Sequence, residues 1–223
     1  VSWLNFNHRV LQEAADDRNP LLERLSFLSI GTSNLDEFMM VRVAGLQDQY
    51  HLNVNELDSK KQWTAGQQLI AIADKNHENN EYQYALYQEL KKEVAKHNIH
   101  FIRFNEAPIR RQEKMKTFFF NEIYPTLTPL GIDAYRPFPS LNNKLIHIFV
   151  NLSREGEQQV AIVPIPQLVN RYFHYEENGH YYFINLEDIV TNFIETLFTG
   201  YTIESSFLFR VTRNADLDIQ EDG

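Results

Sequence analysis

The spacing of apolar residues changes near residue 99, and this change strongly limits the folds open to the chain. Before residue 99, apolar residues recur at every third or fourth position, as they do in amphipathic helices. After it, short alternating segments are separated by turns that contain Glu-Gly or Asn-Gly, as in β-hairpins. The sequence therefore predicts an α+β protein: an antiparallel helical bundle domain over residues 1–103, and an α+β domain with mostly antiparallel strands over residues 104–223.

Short helices are predicted at the start of the chain. One covers residues 2–16, and a second covers residues 20–30, with Asn19 as its cap and Pro20 at its first helical position. Residues 31–33, Gly-Thr-Ser, are predicted to break the second helix and to start a third.

The third helix is predicted to begin at Ser33, a residue type favoured as an N-cap. Asn34 then lies at the helix N-terminus, where free backbone N–H groups can hold a ligand. Arg42 is a cation on the apolar face. The alternative is that Asn34 only helps to cap the helix and that Arg42 extends its guanidinium to water. The predicted buried face consists of Leu35, Phe38, Met39, Arg42, Val43 and Leu46.

A long helix is predicted to follow a polar loop at residues 51–63. Thr64 and Gln67 have the spacing of a capping box, and helix-forming residues continue to about Lys96. An Asn-rich patch at residues 76–80 suggests a kink. The predicted buried face of this helix consists of Leu69, Ile72, Ala73, Tyr87, Leu90 and Val94.

The second half of the sequence alternates between strand and helix patterns. Two hairpins are predicted, the second with an Asn-Gly turn, which is a strong hairpin signal. The predicted strands cover residues 99–104, 145–153, 159–165, 172–175, 181–184 and 207–212, and the predicted helices cover residues 108–124 and 186–198.

Composition excludes several classes of protein. The net charge of −9, from 21 basic and 30 acidic residues, argues against a general nucleic-acid coat, although it permits a local basic pocket for phosphates. The absence of cysteine excludes a disulfide framework and thiolate chemistry. No apolar run approaches the ~20 residues that span a bilayer, and the first residues do not resemble a signal peptide. We therefore expect a cytoplasmic protein without a transmembrane segment.

The sequence lacks the motifs of a self-sufficient enzyme. It contains no Gly-rich phosphate loop, no dinucleotide fingerprint and no H-E-x-x-H or G-x-S-x-G pattern, and its eight histidines lack metal-ligand spacing. We therefore predict no catalytic and no metal-binding residue. Guanidinium and ammonium groups suit phosphate oxygens, with a salt bridge to one of the carboxylates as the alternative for each. The candidate phosphate-contacting residues are Arg42, Lys144, Arg210 and Arg213.

Several segments resemble one family of enzymes in order along the whole chain. Examples are SNLDEF at residues 33–38 and FRVTRNAD at residues 209–216. The full set is residues 2–14, 19–25, 33–38, 41–46, 127–133, 137–144 and 209–216. In these segments the chain resembles the bacterial polyphosphate kinases that make long-chain polyphosphate.

The resemblance implies a layout and a reaction. Members of this family have an N-terminal helical domain, an α+β head domain and two C-terminal domains of phospholipase-D-like fold. This chain resembles the first domain and part of the second, so the head domain is expected to be truncated at its C-terminal end. The family reversibly transfers the terminal phosphate of ATP to inorganic polyphosphate through a phosphohistidine. That histidine and the magnesium ligands belong to the C-terminal domains.

The resemblance also assigns roles and partners. It implies that Asn34 reaches the base side of the nucleotide, and that ATP, ADP and polyphosphate are the ligands of the full-length enzyme, with Mg²⁺ as its cofactor. The fragment is expected to bind no cofactor tightly and to be inactive alone. The resemblance also implies a homodimer through the N-terminal and head domains. The head-domain aromatic residues Tyr172, Phe173, Tyr181 and Tyr182 serve either this dimer or the core. The alternative is a non-catalytic binding or scaffold protein of the same architecture, which binds polyphosphate or a partner protein.

Overall fold

The apolar periodicity of the first hundred residues produces a bundle of helices. The computed structural model describes residues 1–52, 57–58, 62–132 and 138–214. Its first compact unit comprises Val1–His97 and the described residues from Thr212 onward. The helices of this unit are α1 (Ser2–Ala15), α2 (Leu21–Glu37), α3 (Ala44–His51) and α4 (Ala65–Ala95). α1 packs against α2 and α4, and both α2 and α3 pack against α4.

The chain does not break at residues 31–33. Instead, α2 continues into a π-helical segment, Phe38–Val43, which leads directly into α3. Gly31 is buried, and a Cβ atom on it would lie 2.5 Å from the Cδ2 atom of Leu11 in α1. The predicted break is wrong because this glycine permits two helices to approach closely instead of ending one of them. Ser33, predicted as an N-cap, is an exposed residue inside α2.

The start of α4 is formed as predicted. The hydroxyl of Thr64 accepts the backbone N–H of Gln67, and the side chain of Gln67 accepts the N–H of Thr64, which confirms the capping box. α4 is a single α-helix through residues 76–80, where the sequence suggested a kink. The loop predicted just before it, at residues 51–63, lies partly outside the described residues.

The buried face of α4 differs in part from the predicted one. Ala73 and Tyr87 are exposed, so their predicted burial is wrong. Seven residues are close to two helical turns, and this spacing brings a polar residue, Asn79, into line with the apolar ones. The buried residues of α4 are Ala65, Ile72, Asn79, Leu86, Leu90 and Val94.

The second compact unit, Asn98–Val211, contains two sheets. The strands are β1 (Ile99–Phe101), β2 (Leu130–Ile132), β3 (Ile146–Arg154), β4 (Glu157–Pro164), β5 (Tyr172–Glu177), β6 (His180–Asn185) and β7 (Thr202–Arg210). One sheet has the strand order β1-β6-β5 and the other β2-β4-β3-β7. Every pairing is antiparallel except that of β1 with β6, which confirms a mostly antiparallel α+β fold in the described part of the chain.

Both predicted hairpins are present, β3–β4 and β5–β6. Each turn has two central residues with positive φ: Glu155 at 53° with Gly156 at 85°, and Asn178 at 52° with Gly179 at 77°. Such turns match the right-handed twist of the strands that they join. The last strand, β7, begins earlier than predicted and pairs along β3.

The helices of the second unit contribute buried residues to the same core as its strands. The predicted helix at residues 108–124 is α5 (Ile109–Phe118) followed by a π-helical segment (Phe119–Ile123). The predicted helix at residues 186–198 is α6 (Leu186–Asn192) with a short 3₁₀ segment after it. No helix within the described residues has both the length and the apolar composition needed to cross a bilayer. The core is formed around Met115, Phe119, Ile123, Ile148, Val150, Ile184, Leu186 and Ile189.

Candidate functional site

Asn34 lies in the last turn of α2, since the helix does not start there. Its expected position at a helix N-terminus is therefore wrong. The half-buried amide donates from Nδ2 to the Oδ1 atom of Asn7, 3.2 Å away. Asn7 is only 3% exposed and donates in turn to the carbonyl oxygen of Gly31, 2.9 Å away. Helix packing thus fixes the orientation of the Asn34 amide, whose oxygen is not used in this contact.

Asn7 is a residue that the sequence reasoning missed. A signal was present, because residues 4, 7, 11 and 14 have helical spacing and the other three are apolar and fully buried. A polar amide at such a position must find hydrogen-bond partners, and these are often other buried polar groups. A second such amide, Asn79, donates to the carbonyl of Leu4 at 3.1 Å.

Arg42 is exposed and does not lie on the buried face predicted for it. The π-helical segment explains the difference, since its i→i+5 hydrogen bonds change the rotation per residue. Arg42 borders a cleft of about 350 Å³ together with Glu37, Val41 and an aromatic pair. In that pair, the rings of Trp3 and Phe38 stack with centroids 4.3 Å apart and an interplanar angle of 7°.

The second unit contains a cavity of about 580 Å³ with cationic side chains on its wall, here called the cationic cavity. Lys144 and Arg210, both predicted from the sequence, lie there together, and Arg171 joins them. Arg171 gave no signal in the sequence, because it follows an irregular segment without periodicity. The described residues that line the cationic cavity are Lys144, Leu145, Ile146, Ile165, Pro166, Gln167, Val169, Asn170, Arg171 and Arg210.

Backbone contacts hold each cation of the cationic cavity in place. The N–H of Lys144 donates to the carbonyl of Val211 at 2.9 Å. Arg210 is the last residue of β7 and pairs with Ile146 of β3. The carbonyl of Arg171 accepts the N–H of Leu186 at 2.9 Å, at the start of α6.

The predicted phosphate-contacting residues divide between the two units. Arg42 and Arg213 belong to the first unit, as does Asn34, and Lys144 and Arg210 belong to the second. Arg213 is half-buried. The cationic cavity brings two of the predicted cations, Lys144 and Arg210, to the wall of one pocket.

Three of the histidines, His100, His147 and His180, are buried or are joined to another ring. His147 is 1% exposed, and its burial lowers its pKa. The rings of His100 and His180 are joined by a hydrogen bond of 2.9 Å, and burial lowers the pKa of His100, with a further contribution from the charge of His180. Among the described residues, no group of three or more His, Cys, Asp or Glu side chains is arranged to hold a metal ion.

The four aromatic residues proposed for either the dimer or the core differ in exposure. Phe173 and Tyr182 are partly buried against the core of the second unit, whereas Tyr172 and Tyr181 are 40% and 47% exposed.

Comparison with known proteins identifies the family. Residues 1–102 match the family described as the polyphosphate kinase N-terminal domain, and residues 110–223 match the polyphosphate kinase middle domain. The chain belongs to the polyphosphate kinase family. Its two matched regions follow each other in the order expected from the resemblance.

Individual polyphosphate kinases match the whole chain. It is 50% identical over 223 residues to the polyphosphate kinase of Staphylococcus saprophyticus and 46% identical over 228 residues to that of Halalkalibacterium halodurans. It covers 31% and 32% of these relatives, so it spans about a third of their length. The crystal structure of polyphosphate kinase from Porphyromonas gingivalis matches with a TM-score of 0.82 at 28% identity, covering 96% of this chain and 32% of that one.

Proposed function

We propose that this chain supplies the N-terminal and middle parts of an ATP:polyphosphate phosphotransferase. Its role there is to hold the nucleotide and assemble the enzyme. The observation that carries the proposal is the match of both family domains, in order, to a polypeptide about a third as long as its relatives. The reaction of the whole enzyme is the reversible transfer of the terminal phosphate of ATP to inorganic polyphosphate. The proposed setting is the cytoplasm.

Phosphoryl transfer depends mainly on positioning the reactants and neutralising charge. No residue of this chain is proposed to accept the phosphoryl group, and Mg²⁺ is proposed to be held outside it. The proposed contribution of the chain is therefore binding, with the phosphohistidine step located elsewhere in the full-length enzyme.

Asn34 is proposed to contact the base side of ATP. A side-chain amide offers both a donor and an acceptor, which suits the edge of a nucleobase. The contact with Asn7 occupies one donor and fixes the amide plane, so the remaining atoms are presented in a defined direction. Preorganisation of this kind lowers the entropy cost of binding.

A homodimer through the N-terminal and head regions is also proposed. Tyr172 and Tyr181 are the exposed members of the aromatic set, and aromatic residues are enriched in protein interfaces. Replacing both by Ser in the full-length protein should shift its oligomeric state toward the monomer in sedimentation, whereas an unchanged dimer would remove them from the interface.

The test of the main proposal separates the chain from the rest of the enzyme. The full-length protein, incubated with labelled ATP and Mg²⁺, should form polyphosphate and carry a phosphohistidine outside residues 1–223. The 223-residue chain alone should do neither. A phosphohistidine mapped by mass spectrometry to His8, His100 or any other histidine of the chain would contradict the proposal. Full-length protein without polymer formation would favour the scaffold alternative.

A further inference from the structure

We propose that the cationic cavity binds a segment of linear inorganic polyphosphate through Lys144, Arg171 and Arg210. The proposal rests on the proposed function for the identity of the polyanion. It places a polymer-binding site in the second unit, whereas the nucleotide contact is assigned to Asn34 of the first unit.

Charge distribution is the first argument. The chain as a whole carries a net charge of −9, yet three cations line one cavity, and none of its described lining residues is acidic. Gathering like charges at one place costs electrostatic energy, which a bound polyanion offsets. Guanidinium groups in particular match the geometry of phosphate oxygens.

The fixed backbone of Lys144 is the second argument. Its φ angle is 63°, a left-handed conformation that lysine rarely adopts. The hydrogen bond from its N–H to Val211 holds it there, beside the end of β7 that carries Arg210. Unfavourable conformations of this kind cluster at binding sites, where the rest of the fold maintains them.

The apolar floor of the cationic cavity is the third argument. Ile165 is buried, and Ile146 and Val169 pack partly buried against the core of the unit. An apolar floor lowers the local dielectric constant, so each charge above it interacts more strongly with an anion than it would in open water. A rim of cations above such a floor suits a ligand whose charge is repeated along its length.

Glu187 controls how much of the Arg171 charge is available. Its Oε1 atom accepts from Nη2 of Arg171 at 2.6 Å, while the Glu187 side chain is nearly buried. Its other oxygen, Oε2, is buried and makes no hydrogen bond within the described residues. The carboxylate therefore orients Arg171 and also neutralises part of its charge. Replacing Glu187 by Gln should keep the orientation and release that charge toward the cavity.

The experiment measures binding of fluorescent long-chain polyphosphate to the full-length protein in the absence of nucleotide. The double variant Lys144→Gln/Arg210→Gln should bind about tenfold more weakly, since it loses two charge-assisted contacts. It should also show a shallower dependence of affinity on salt. Both side chains are exposed, so the fold should be retained, as thermal unfolding will show. An affinity equal to that of the wild type would overturn the proposal.

A matched control removes two charges elsewhere in the same unit. Arg154 lies at the opposite end of β3 from Ile146, and Lys116 is exposed on α5. The double variant Arg154→Gln/Lys116→Gln should bind polyphosphate as the wild type does. If this control loses as much affinity as the cavity variant, the loss follows from net charge alone and the proposal is overturned. Glu187→Gln should bind more tightly. Weaker binding by Glu187→Gln would contradict the assigned role of Arg171.

Competing ligands identify the source of the phosphate groups. The cavity variants should retain the wild-type KM for ATP, and orthophosphate should displace the probe poorly. An equal loss of ATP affinity would place the cavity in the nucleotide site and overturn the proposal, as would equal displacement by single-stranded RNA. Polymer formation from ATP is assayed separately. If no polymer forms, the proposed function is contradicted. If the enzyme is active but the cavity variants bind polyphosphate normally, only this inference is contradicted.

Discussion

Gly31 of α2 and Leu11 of α1 approach so closely that a Cβ atom on the glycine would lie 2.5 Å from the leucine side chain. Gly31→Ala should therefore destabilise the first unit by about 1–3 kcal/mol through overpacking, even though alanine gains about 1 kcal/mol in helix propensity over glycine. Chemical denaturation measures the change. Gly45→Ala in α3 is the control, because nothing lies within 4 Å of its Cβ position, and it should be neutral or slightly stabilising. Equal effects at the two glycines would refute the packing argument.

The buried amide of Asn7 should contribute to stability through its two contacts. Asn7→Ala removes the donor to Gly31 and the acceptor for Asn34, so buried polar atoms lose partners. We expect a loss of about 1–3 kcal/mol in the free energy of unfolding. Asn5→Ala, at an exposed position of the same helix, should change it by less than about 0.5 kcal/mol. A double-mutant cycle with Asn34→Ala should show that the effects at residues 7 and 34 are not additive.

Asn34→Ala in the full-length enzyme should raise the KM for ATP by about two- to tenfold, the effect of one neutral hydrogen bond. The steady-state rate of polymer formation, measured against ATP concentration, checks this. Asn80→Ala is a suitable control because Asn80 is exposed on α4, and its KM should equal that of the wild type. If the KM of Asn34→Ala is also unchanged, the amide serves only the contact with Asn7.

Stability should fall in mildly acidic solution because of His147. Burial lowers its pKa below the ordinary value of 6.5, so the folded protein keeps the ring neutral. As the pH falls through about 6.5, the unfolded chain binds a proton that the folded chain does not, and the equilibrium shifts toward unfolding. Above that pH both states are neutral and the effect vanishes.

The check is the free energy of unfolding measured between pH 5 and pH 8. His147→Gln should flatten the acid side of the curve, whatever it does to stability at neutral pH, and His174→Gln, at an exposed position, should leave the slope unchanged. His100, whose pKa is lowered mainly by burial, contributes a slope of the same sign, so some dependence should remain. A slope unaffected by His147→Gln would exclude this residue as its source.

Features governed by neighbouring residues could be predicted well. The capping box at Thr64 depends on one residue three positions away, and the turn at Asn178 and Gly179 depends on two residues that accept positive φ. The failures occurred where a partner distant in the sequence decided the outcome. Gly31 was predicted to break the helix, but it lies inside α2, where Leu11 of another helix leaves no room for a Cβ atom.

The candidate sites show the same contrast between local features, which the sequence predicts, and long-range contacts, which it does not. Asn34 could be singled out from a family segment, yet its orientation depends on Asn7, a residue whose buried position only helix packing establishes. Lys144 and Arg210 could be proposed individually as cations. Their shared cavity depends on the pairing of β3 with β7, and Arg171 lines it from the segment just before β5.

The sequence by itself determined the α+β class, the two hairpins, the start of the long helix and membership of the polyphosphate kinase family. All of these depend on local sequence patterns or on short segments that resemble the family. Only the tertiary structure decided that α2 runs on through Gly31, that Arg42 faces solvent and that three cations line one cavity. The physical reason is that helix packing and strand pairing join residues far apart in the chain, and local propensity carries no information about which partner will lie opposite.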